Sequence, residues 1–583
     1  MNTEAESKRG RHSHVIAPSR DTSAPLSWWD RKAWSSMRGW ALMQGSPSPR
    51  GEAGPVEGAA WTHDDVTGRM AWPAGSLPTA ARAPAPLPRS VCPPRPGGPM
   101  PDVQNPCPAG ASPAPDDDRA AASVALVIVG ATGDLTRRLL LPGLARALTV
   151  HDLPEVTLVG SAHSDGHSLE EWRGVIEEAV GKTDLDADAR AGLVERAVWR
   201  TADASDPEDL GALLVAAREA AGEEAVVVLY LALDPDLAAE ACAALEQVED
   251  RPEGLRIVLE KPFGSDQRSA RELNALLGRI AEEEDVFRVD HFLRESMVSG
   301  LLTLRTANRV LERVWSAADV EHVDIVADES LALEGRAGFY DSTGALEDML
   351  QSHLLQVLAM VALEPPRRLT PDALQDAVVE VLRATRVRDD DAVASSRRAR
   401  YTAGTVGGQD VPDYVAEEGV DPENGTETLA EVELEVRTDR WAGVPFRLRS
   451  GKALEPRRWE VVLSLRPPEG VPAGLEAAAG RERIVVGLDP RALRVELAVD
   501  GPDTPFVAER SVLAADLAEE DVDAYGEVMR GVLTGDRMLS VGGDAAEECW
   551  RILAPVIEAW DAGRVPLDEY AAGSSGPEDW PER

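Results

Sequence analysis

From Ala121 onward, short apolar runs rich in β-branched residues alternate with amphipathic stretches of helical spacing. The strand candidates are VALVIVG, VTLVG, AVVVLYLAL, RIVLEKP and VFRVD, whereas LEEWRGVIEEAVG and SARELNALLGRIA are typical of helices. Strands that alternate with helices form βαβ units, which build a parallel sheet covered by helices. The sequence therefore predicts an α/β, Rossmann-like coenzyme-binding domain over residues 120–295.

The pattern changes after Asp290. We expect a long helix through LLTLRTANRVLERVW, a strand at VEHVDIVADES and a buried helix at GALEDMLQSHLLQVLAMVAL. The runs AEVELEVRT, FRLRS, WEVVLSLRP, RIVVGLDP and ALRVELAVD indicate a mostly antiparallel sheet, against which closing helices at AYGEVMRGVL and AAEECWRILAPVIEAW should pack. Residues 296–575 are thus predicted as an α+β domain, followed by a tail at 576–583.

The first 119 residues are rich in Pro, Gly, Ser, Ala and Arg and show no sustained periodicity. Such a composition predicts a disordered leader, because it offers too little apolar surface to form a core. Two alternatives stay open: a start at Met100, and a docking tail that uses the dispersed tryptophans Trp28, Trp29, Trp34, Trp40, Trp61 and Trp72.

The net charge of -42, from 102 acidic and 60 basic residues, argues against a nucleic-acid or anionic-membrane partner. We find no apolar stretch of about 18 residues and no secretory signal. Cysteines 92, 107, 242 and 549 lack the spacing of a disulfide framework or a metal site. These observations predict a cytoplasmic protein without a bound metal.

The run GATGDLTRR follows the first strand and opens a helix, which is the context of a loop that cradles phosphates. Glycines allow a tight turn and close approach of the backbone to a pyrophosphate. Gly130 and Gly133 are present without a third glycine in register, so a plain strand-to-helix turn is the alternative. The candidate cofactor contacts in this loop are Gly130, Thr132, Gly133, Asp134 and Leu135.

Six runs along the chain form a distinctive series: GATGDLTRRLLLPGL, RIVLEKPFG, RVDHFL, EGRAGFYD, EDMLQSHLLQVLAMVALEPP and VPFRLRSGKAL. In their order and spacing, these runs resemble the glucose-6-phosphate dehydrogenase family. The resemblance extends from about Val124 to AAGSSGP and so covers nearly everything beyond the leader. It implies oxidation of glucose 6-phosphate at C1 with hydride transfer to NADP. It also implies a homodimer or homotetramer, with residues 296–575 as the substrate and dimerisation domain.

The resemblance also implies roles for individual residues. His353 matches the general base, Asp290 matches its carboxylate partner, and Lys261 matches a lysine between cofactor and sugar. The chain has only five lysines, so one retained at a motif position is unlikely to be incidental. The remaining substrate-side matches are His291 for the sugar phosphate, Glu329 and Asp348 for sugar hydroxyls, and Lys452 with Arg457.

The sequence departs from the family pattern beside the predicted phosphate contact. Where the family usually has tyrosine and, three residues later, lysine, this chain has Phe292 and Glu295. A pair of unit charges ~4 Å apart is worth about 4 kcal/mol at an effective dielectric near 20, so a reversed sign should weaken phosphate binding. Arg294 is a candidate to compensate from the neighbouring position.

The predicted cofactor site also departs from the family. Leu139 stands at a lysine position, with Arg137 and Arg138 as candidate substitutes, and Glu347 stands at an arginine position. His163 occupies the place of the arginine that contacts the 2′-phosphate, and histidine is mostly neutral near pH 7. NADP is therefore the expected cofactor, with NAD as the alternative.

Three functions are consistent with these residues. The first is glucose-6-phosphate dehydrogenation with a rearranged phosphate pocket that uses Arg294, Lys452 and Arg457. The second is dehydrogenation of an unphosphorylated or differently charged sugar. The third is a catalytically silent paralogue that binds a partner enzyme or senses cofactor.

Overall fold

The computed structural model describes residues 122–163, 166–333, 337–475, 480–501, 504–518 and 520–580. The predicted leader at 1–119, with its tryptophans and Met100, lies outside these ranges. No helix in the described ranges is both long enough and apolar enough to cross a membrane.

The first sheet is parallel throughout, with strand order β3-β2-β1-β4-β5-β6. Its strands are β1 Ser123–Val129, β2 Glu155–Ala162, β3 Val198–Thr201, β4 Val226–Leu231, β5 Arg256–Glu260 and β6 Val286–Val289. This arrangement confirms the predicted Rossmann-like fold. The sequence did not reveal β3, because a four-residue run that contains Trp199 and Arg200 carries little strand pattern.

Helices connect these strands. A π-helical turn, Thr136–Leu140, leads into α1 Leu141–Val150, and the others are α2 Leu169–Val180, α3 Ala187–Glu195, α4 Pro207–Ala221, α5 Pro235–Glu246 and α6 Gln267–Ile280. The cap of α2 illustrates how the sequence sets these boundaries. Ser168 accepts a hydrogen bond from the backbone of Glu171, whose carboxylate accepts one in return.

The second sheet has ten strands in the order β17-β16-β15-β14-β7-β13-β12-β9-β18, with β8 beside β12. Only the β7–β13 and β9–β18 pairs are parallel among the described strands of this sheet, which confirms the mostly antiparallel prediction. The strands are β7 Val320–Asp328, β8 Thr385–Val387, β9 Ser396–Thr402, β12 Leu429–Val436, β13 Pro445–Gly451, β14 Arg458–Leu465, β15 Arg483–Gly487, β16 Ala492–Gly501, β17 Thr504–Asp516 and β18 Leu567–Ala571. A separate hairpin joins β10 Gly404–Val406 and β11 Gln409–Val411.

The helices of this second part are α7 Ser296–Thr306, α8 Arg309–Val314, α9 Ala337–Ala345, α10 Leu355–Ala362, α11 Pro371–Ala384, α12 Ala524–Thr534 and α13 Gly543–Asp561. A π-helical segment, Leu346–Leu354, runs directly into α10. The predicted long helix after Asp290 is wrong in one respect. It is divided into α7 and α8 because Asn308 has an extended backbone.

The closing helices meet the expectation in part. We predicted that both would pack on the antiparallel sheet. Helix α13 does contact β8 and β9 of that sheet, although it packs mainly on α6 and α11, whereas α12 packs on α1. Apolar side chains of α12, including Tyr525, Met529 and Leu533, belong to the same buried cluster as the strands of the parallel sheet. Burial of these apolar side chains brings the C-terminal part of the chain back to the parallel sheet. As a result, α12 lies beside the residues that follow β6.

Candidate active site

The nucleotide loop lies at the carboxyl end of β1. Gly130 has φ 88° and its backbone lies so close to the Ala232 carbonyl that a Cβ would collide with it. The Gly130 carbonyl accepts hydrogen bonds from Gly133 N at 3.0 Å and from Thr136 Oγ1 at 3.1 Å, which closes a tight turn. Glycine is therefore required here for its conformation and its lack of a side chain, as in a loop that approaches a phosphate.

The other predicted loop residues differ in their surroundings. Gly133 and Asp134 are exposed and Thr132 is partly so, whereas Leu135 packs partly buried against the core. Asp134 lies 3.5 Å from Arg138, an exposed cation on the next helical turn. Leu139 packs against the core. Arg137 and Arg138 are the exposed cations that remain near this loop.

His163 follows β2, at the same edge of the sheet as the loop. Its side chain is 79% exposed, and Nδ1 lies 3.4 Å from the Asp203 carboxylate. A histidine beside a carboxylate offers a phosphate less positive charge than an arginine would. His163 stays a predicted cofactor contact, and Asp203 beside it carries no signal in the sequence.

Asp290 and His353 form a buried hydrogen-bonded pair. Asp290 directly follows β6, His353 lies on the Leu346–Leu354 segment, and Nδ1 of the histidine is 2.6 Å from Oδ1 of the aspartate. The same oxygen accepts a hydrogen bond from the backbone of Phe292 at 2.9 Å. This arrangement fixes the imidazole and leaves Nε2 as its second acid–base atom.

The pKa values of the pair follow from burial and mutual attraction. Burial lowers the pKa of His353, and the Asp290 carboxylate only partly offsets that effect. Burial alone would raise the pKa of Asp290, but the imidazole and its hydrogen bond lower it overall. The pair is thus set up as an ionised carboxylate beside a neutral imidazole, which can accept a proton.

Aromatic rings fix the surroundings of this pair. Phe292 stacks on His353 with centroids 4.1 Å apart, and Trp459 packs against Phe292 at 5.1 Å. His291 lies edge-on to His353 at 4.8 Å and stacks on Tyr525 at 5.5 Å. Burial lowers the pKa of His291 to about 3, so its ring is neutral. Tyr525 was not predicted because it lies on α12, far along the chain.

Lys261 and Asp348 lie near enough to His353 to influence its pKa. The Lys261 ammonium donates to the Asp348 carboxylate at 2.7 Å and to the Asp348 backbone carbonyl at 2.8 Å. Although burial opposes the effect, the cations of Lys261 and Lys452 lower the pKa of Asp348 to about 2. The predicted lysine and one predicted sugar-binding carboxylate are therefore in contact with each other.

Lys452 and Glu329 form a second pair of the same kind. The Lys452 ammonium lies 2.6 Å from the Glu329 carboxylate and 5.0 Å from the centroid of the Tyr340 ring. Glu329 directly follows β7 and Lys452 directly follows β13, which is the neighbouring parallel strand. Parallel strands end at the same edge, so this pairing follows from the topology.

Arg457 has a different environment from these lysines. Its guanidinium donates to the Asp489 carboxylate at 2.7 Å and to the Asp489 carbonyl at 3.0 Å, and it lies over the Trp459 ring. Arg457 is therefore connected to His353 indirectly, through the rings of Trp459 and Phe292, and the Asp489 carboxylate balances its charge. Asp489 lies in the connection between β15 and β16, and no sequence pattern pointed to it.

Arg294 does not compensate for the missing lysine, as one hypothesis required. It is 5% exposed, its guanidinium donates to the Asp536 carbonyl at 3.3 Å, and it lies against Gly531 of α12. Burial lowers its pKa to about 10. The prediction is wrong because the four-residue 3-10 turn His291–Arg294 directs the side chain under α12.

Glu295 lies in an acidic cluster with Asp489 and Glu520, opposed by Arg457 and Arg491. Glu520 accepts a hydrogen bond from Ser296 N at 2.9 Å, and Arg491 lies 3.8 Å from Glu520. Burial, reinforced by the other two carboxylates, raises the pKa of Glu295 to about 8. Glu295 is therefore mostly protonated near neutral pH, and the two carboxylates around it are balanced by the two arginines, so this group of side chains has no net positive charge.

Asp290, His291 and His353 are also residue types that ligate metals, with candidate ligand atoms all within 4.8 Å of one another. The Asp290–His353 hydrogen bond already engages two of these atoms, Oδ1 of Asp290 and Nδ1 of His353. Lys261 also lies near enough to disfavour positive charge on both histidines. These features favour an acid–base pair of Asp290 and His353 over a metal site.

Two family models match the chain. "Glucose-6-phosphate dehydrogenase, NAD binding domain" matches residues 127–300, and "Glucose-6-phosphate dehydrogenase, C-terminal domain" matches residues 302–582. Glucose-6-phosphate 1-dehydrogenase of Gluconobacter oxydans is 35% identical over 78% of this chain and 94% of its own length. Glucose-6-phosphate 1-dehydrogenase 2 of Mycobacterium tuberculosis is 36% identical over 79% of this chain and 92% of its own.

Solved structures show the same similarity. Glucose-6-phosphate 1-dehydrogenase from Mycobacterium avium superposes with a TM-score of 0.68 at 32% identity, over 79% of this chain and 96% of that one. A glucose-6-phosphate dehydrogenase in complex with its substrate glucose 6-phosphate gives a TM-score of 0.71 at 26% identity, with the same coverage. The chain therefore belongs to the glucose-6-phosphate dehydrogenase family.

Proposed function

We propose that this protein oxidises glucose 6-phosphate at C1 to 6-phosphogluconolactone, with hydride transfer to NADP. The observation that carries the proposal is the buried Asp290–His353 hydrogen bond of 2.6 Å in a chain of this family. A catalytically silent paralogue has no need for such a pair, since burying two titratable groups is costly unless they are used or well paired.

His353 is proposed as the general base. Its lowered pKa keeps Nε2 unprotonated near neutral pH, so that this nitrogen accepts the proton of the C1 hydroxyl. Asp290 holds the ring through Nδ1 and stabilises the imidazolium that forms. As pH falls through the pKa of His353, the base is protonated and turnover should decline.

The nucleotide loop fits a dinucleotide, because it follows β1 directly, turns tightly at Gly130 and leads into a helix. When bound, NADP supplies the acceptor for the hydride. We propose that Gly130, Thr132, Gly133, Asp134 and Leu135 approach its phosphates, and that His163 lies near the ribose. NAD is the alternative, supported by the carboxylate of Asp203 beside His163.

The sugar is proposed to lie between the two lysine–carboxylate pairs. Asp348 and Glu329 would accept hydrogen bonds from sugar hydroxyls, while Lys261 lies on the cofactor side. His291, Lys452 and Arg457 would face the 6-phosphate. This arrangement supports binding by charge-assisted hydrogen bonds, which are stronger than neutral ones.

The test is formation of reduced cofactor and lactone from glucose 6-phosphate by the purified protein. We expect NADPH and 6-phosphogluconolactone in equal amounts, identified by absorbance and by NMR. Folded protein that forms neither product at millimolar substrate would overturn the proposal.

A second candidate function is oxidation of an unphosphorylated sugar. It is supported by the position of Glu295, because this side chain supplies no positive charge, and the Asp489 and Glu520 carboxylates beside it offset the charges of Arg457 and Arg491. A neutral 6-hydroxyl, in contrast, can donate a hydrogen bond to a carboxylate. A kcat/KM for free glucose above that for glucose 6-phosphate would favour this candidate.

The protein is also proposed to form a homodimer or homotetramer. Strand β17 is the edge of the large sheet and has 13 residues, and several apolar side chains of the β16–β17 ribbon are exposed: Val499, Phe506, Val512 and Leu513. A long apolar edge strand favours pairing with another strand, and a second copy provides one. Sedimentation of wild type and Leu513→Lys tests this, with a shift to monomer expected for the variant.

We further propose a cytoplasmic location. Cys242 and Cys549 are buried free thiols, and burial raises the pKa of the Cys242 thiol to about 12. Such thiols are stable in a reducing compartment. Fluorescence microscopy of the tagged full-length chain in its host would test the location.

A further inference from the structure

Glu427 is a buried acid that contacts neither the proposed sugar site nor the nucleotide loop. It is 7% exposed, and it lies just before β12 in the segment Thr426–Thr428. Burial raises the pKa of its carboxyl group to about 7. An isolated buried carboxylate is costly, so its hydrogen-bond partners show what retains it.

Those partners are at the start of the segment that carries Asp348 and His353. The Leu346 backbone N–H donates to the Glu427 carboxylate at 2.9 Å, and the Ala345 N–H donates to the Glu427 carbonyl at 3.3 Å. The first N–H groups of a helix have no acceptor within the helix and carry partial positive charge. Glu427 satisfies two of them at once.

The backbone around this contact is adapted to it. Gly344, immediately before, has φ 63°, and a Cβ at this position would collide with the Glu427 carboxylate. Glycine is therefore required at this position, because it adopts a positive φ without strain and has no Cβ to collide with Glu427. Helix α9 therefore breaks at Gly344, and the direction of the Leu346–Leu354 segment is set against Glu427.

The same short segment is bonded to the other side of the proposed sugar site. The carbonyl of Thr428 accepts a hydrogen bond from the Lys452 backbone N–H at 2.9 Å. Tyr570 strengthens this connection, because its hydroxyl lies 2.8 Å from Thr428 Oγ1 and donates to the Lys452 carbonyl at 2.7 Å. Thr426–Thr428 thus joins the start of the base-carrying segment to the backbone of Lys452.

We propose that Glu427 is a positioning residue for sugar oxidation, which fixes His353 and Asp348 relative to Lys452. The inference rests on the proposed function, since it concerns the placement of the proposed base. Glu427 acts through the backbone of Leu346 and does not touch the reacting atoms. Misplacing a base by a fraction of an ångström should lower kcat more than it weakens cofactor binding.

The test compares Glu427→Ala with Glu427→Gln. Alanine removes the acceptor for Leu346 N–H, whereas glutamine keeps a side-chain oxygen of the same reach. We expect kcat with glucose 6-phosphate to fall at least about tenfold in the alanine variant, with KM for NADP unchanged, and to recover to within about threefold in the glutamine variant. Asp186→Ala is the control, because it removes the side-chain cap of the distant helix α3 and should leave kcat unchanged.

A second readout does not depend on activity. Hydrogen exchange at residues 345–354 should accelerate in the alanine variant and not in the glutamine variant, because the helix start loses its acceptor. An alanine variant with wild-type kcat and wild-type exchange would overturn the inference. An inactive wild type would count against the proposed function instead, and the exchange result would still decide whether Glu427 holds the segment.

Discussion

The two sides of the proposed active site differ in how closely they keep the family's pattern. On the catalytic side, Asp290, His353, Lys261 and Asp348 are all present and in contact, with hydrogen bonds of 2.6 and 2.7 Å. On the phosphate side, Phe292 has no hydroxyl, Arg457 is engaged by Asp489, and Glu295 replaces the expected lysine with a carboxyl group whose pKa burial raises to about 8. Chemistry at C1 and recognition of the 6-phosphate can therefore change separately in one fold.

The largest effect is expected on the catalytic side. His353→Asn removes the proton acceptor but keeps a polar side chain of similar size, so kcat should fall by at least about 100-fold. Cofactor affinity, measured by fluorescence titration, should stay unchanged, because the nucleotide loop is formed by other residues. A kcat within a few-fold of the wild-type value would show that His353 is not the proton acceptor.

The next effect should appear on the phosphate side. Glu295→Lys puts a cation in place of a carboxyl group that is mostly protonated near neutral pH, so KM for glucose 6-phosphate should fall by about 10- to 100-fold while kcat changes little. Glu312→Lys makes the same change on the exposed surface of α8 and serves as the matched control. Equal KM values for the two variants would show that Glu295 does not face the phosphate.

A smaller effect is expected from Phe292→Tyr. The added hydroxyl offers the phosphate one hydrogen bond, which corresponds to about a fivefold lower KM for glucose 6-phosphate. The ring should keep its stacking on His353, so kcat for free glucose serves as the internal control. A fall in kcat with both sugars would instead mean that the hydroxyl disturbs the Asp290–His353 pair.

The smallest effect concerns stability as a function of pH. Burial raises the pKa of Glu295 to about 8 and those of Glu260, Glu347 and Glu427 to about 7. The folded state then holds protons that the unfolded state has lost, so stability should fall as pH rises from about 5 to about 8. Calorimetry should show a lower Tm at the alkaline end, and Glu295→Gln should reduce the difference. A Tm that rises with pH over this range would contradict the expected direction of the change.

Much of the fold and of the catalytic side could be predicted from the sequence, and most of the phosphate side could not. Strand–helix alternation and the GATGDLTRR loop indicate the parallel sheet, and the family motifs bring together Asp290 and His353 across 63 residues. The direction of Arg294, however, depends on α12, which lies more than 200 residues further along. Side-chain direction is set by such distant packing, and no local pattern encodes it.

The same reason explains why Tyr525, Asp489 and Glu427 were not predicted. Each acts through a neighbour from another part of the chain: Tyr525 through His291, Asp489 through Arg457, and Glu427 through Leu346. None of them lies in a motif with its partner. The sequence does not show that Glu427 is buried, and its partner is a backbone N–H, which leaves no sequence signal.

The central claim is that the catalytic side is intact and the phosphate side is altered. Its most direct test is to measure kcat and KM separately for glucose 6-phosphate and for free glucose. We predict turnover of glucose 6-phosphate by the wild type, and a preference for it over glucose, in kcat/KM, that increases at least about tenfold in Glu295→Lys. Folded wild-type protein that turns over neither sugar, or a preference that Glu295→Lys leaves unchanged, would contradict the account.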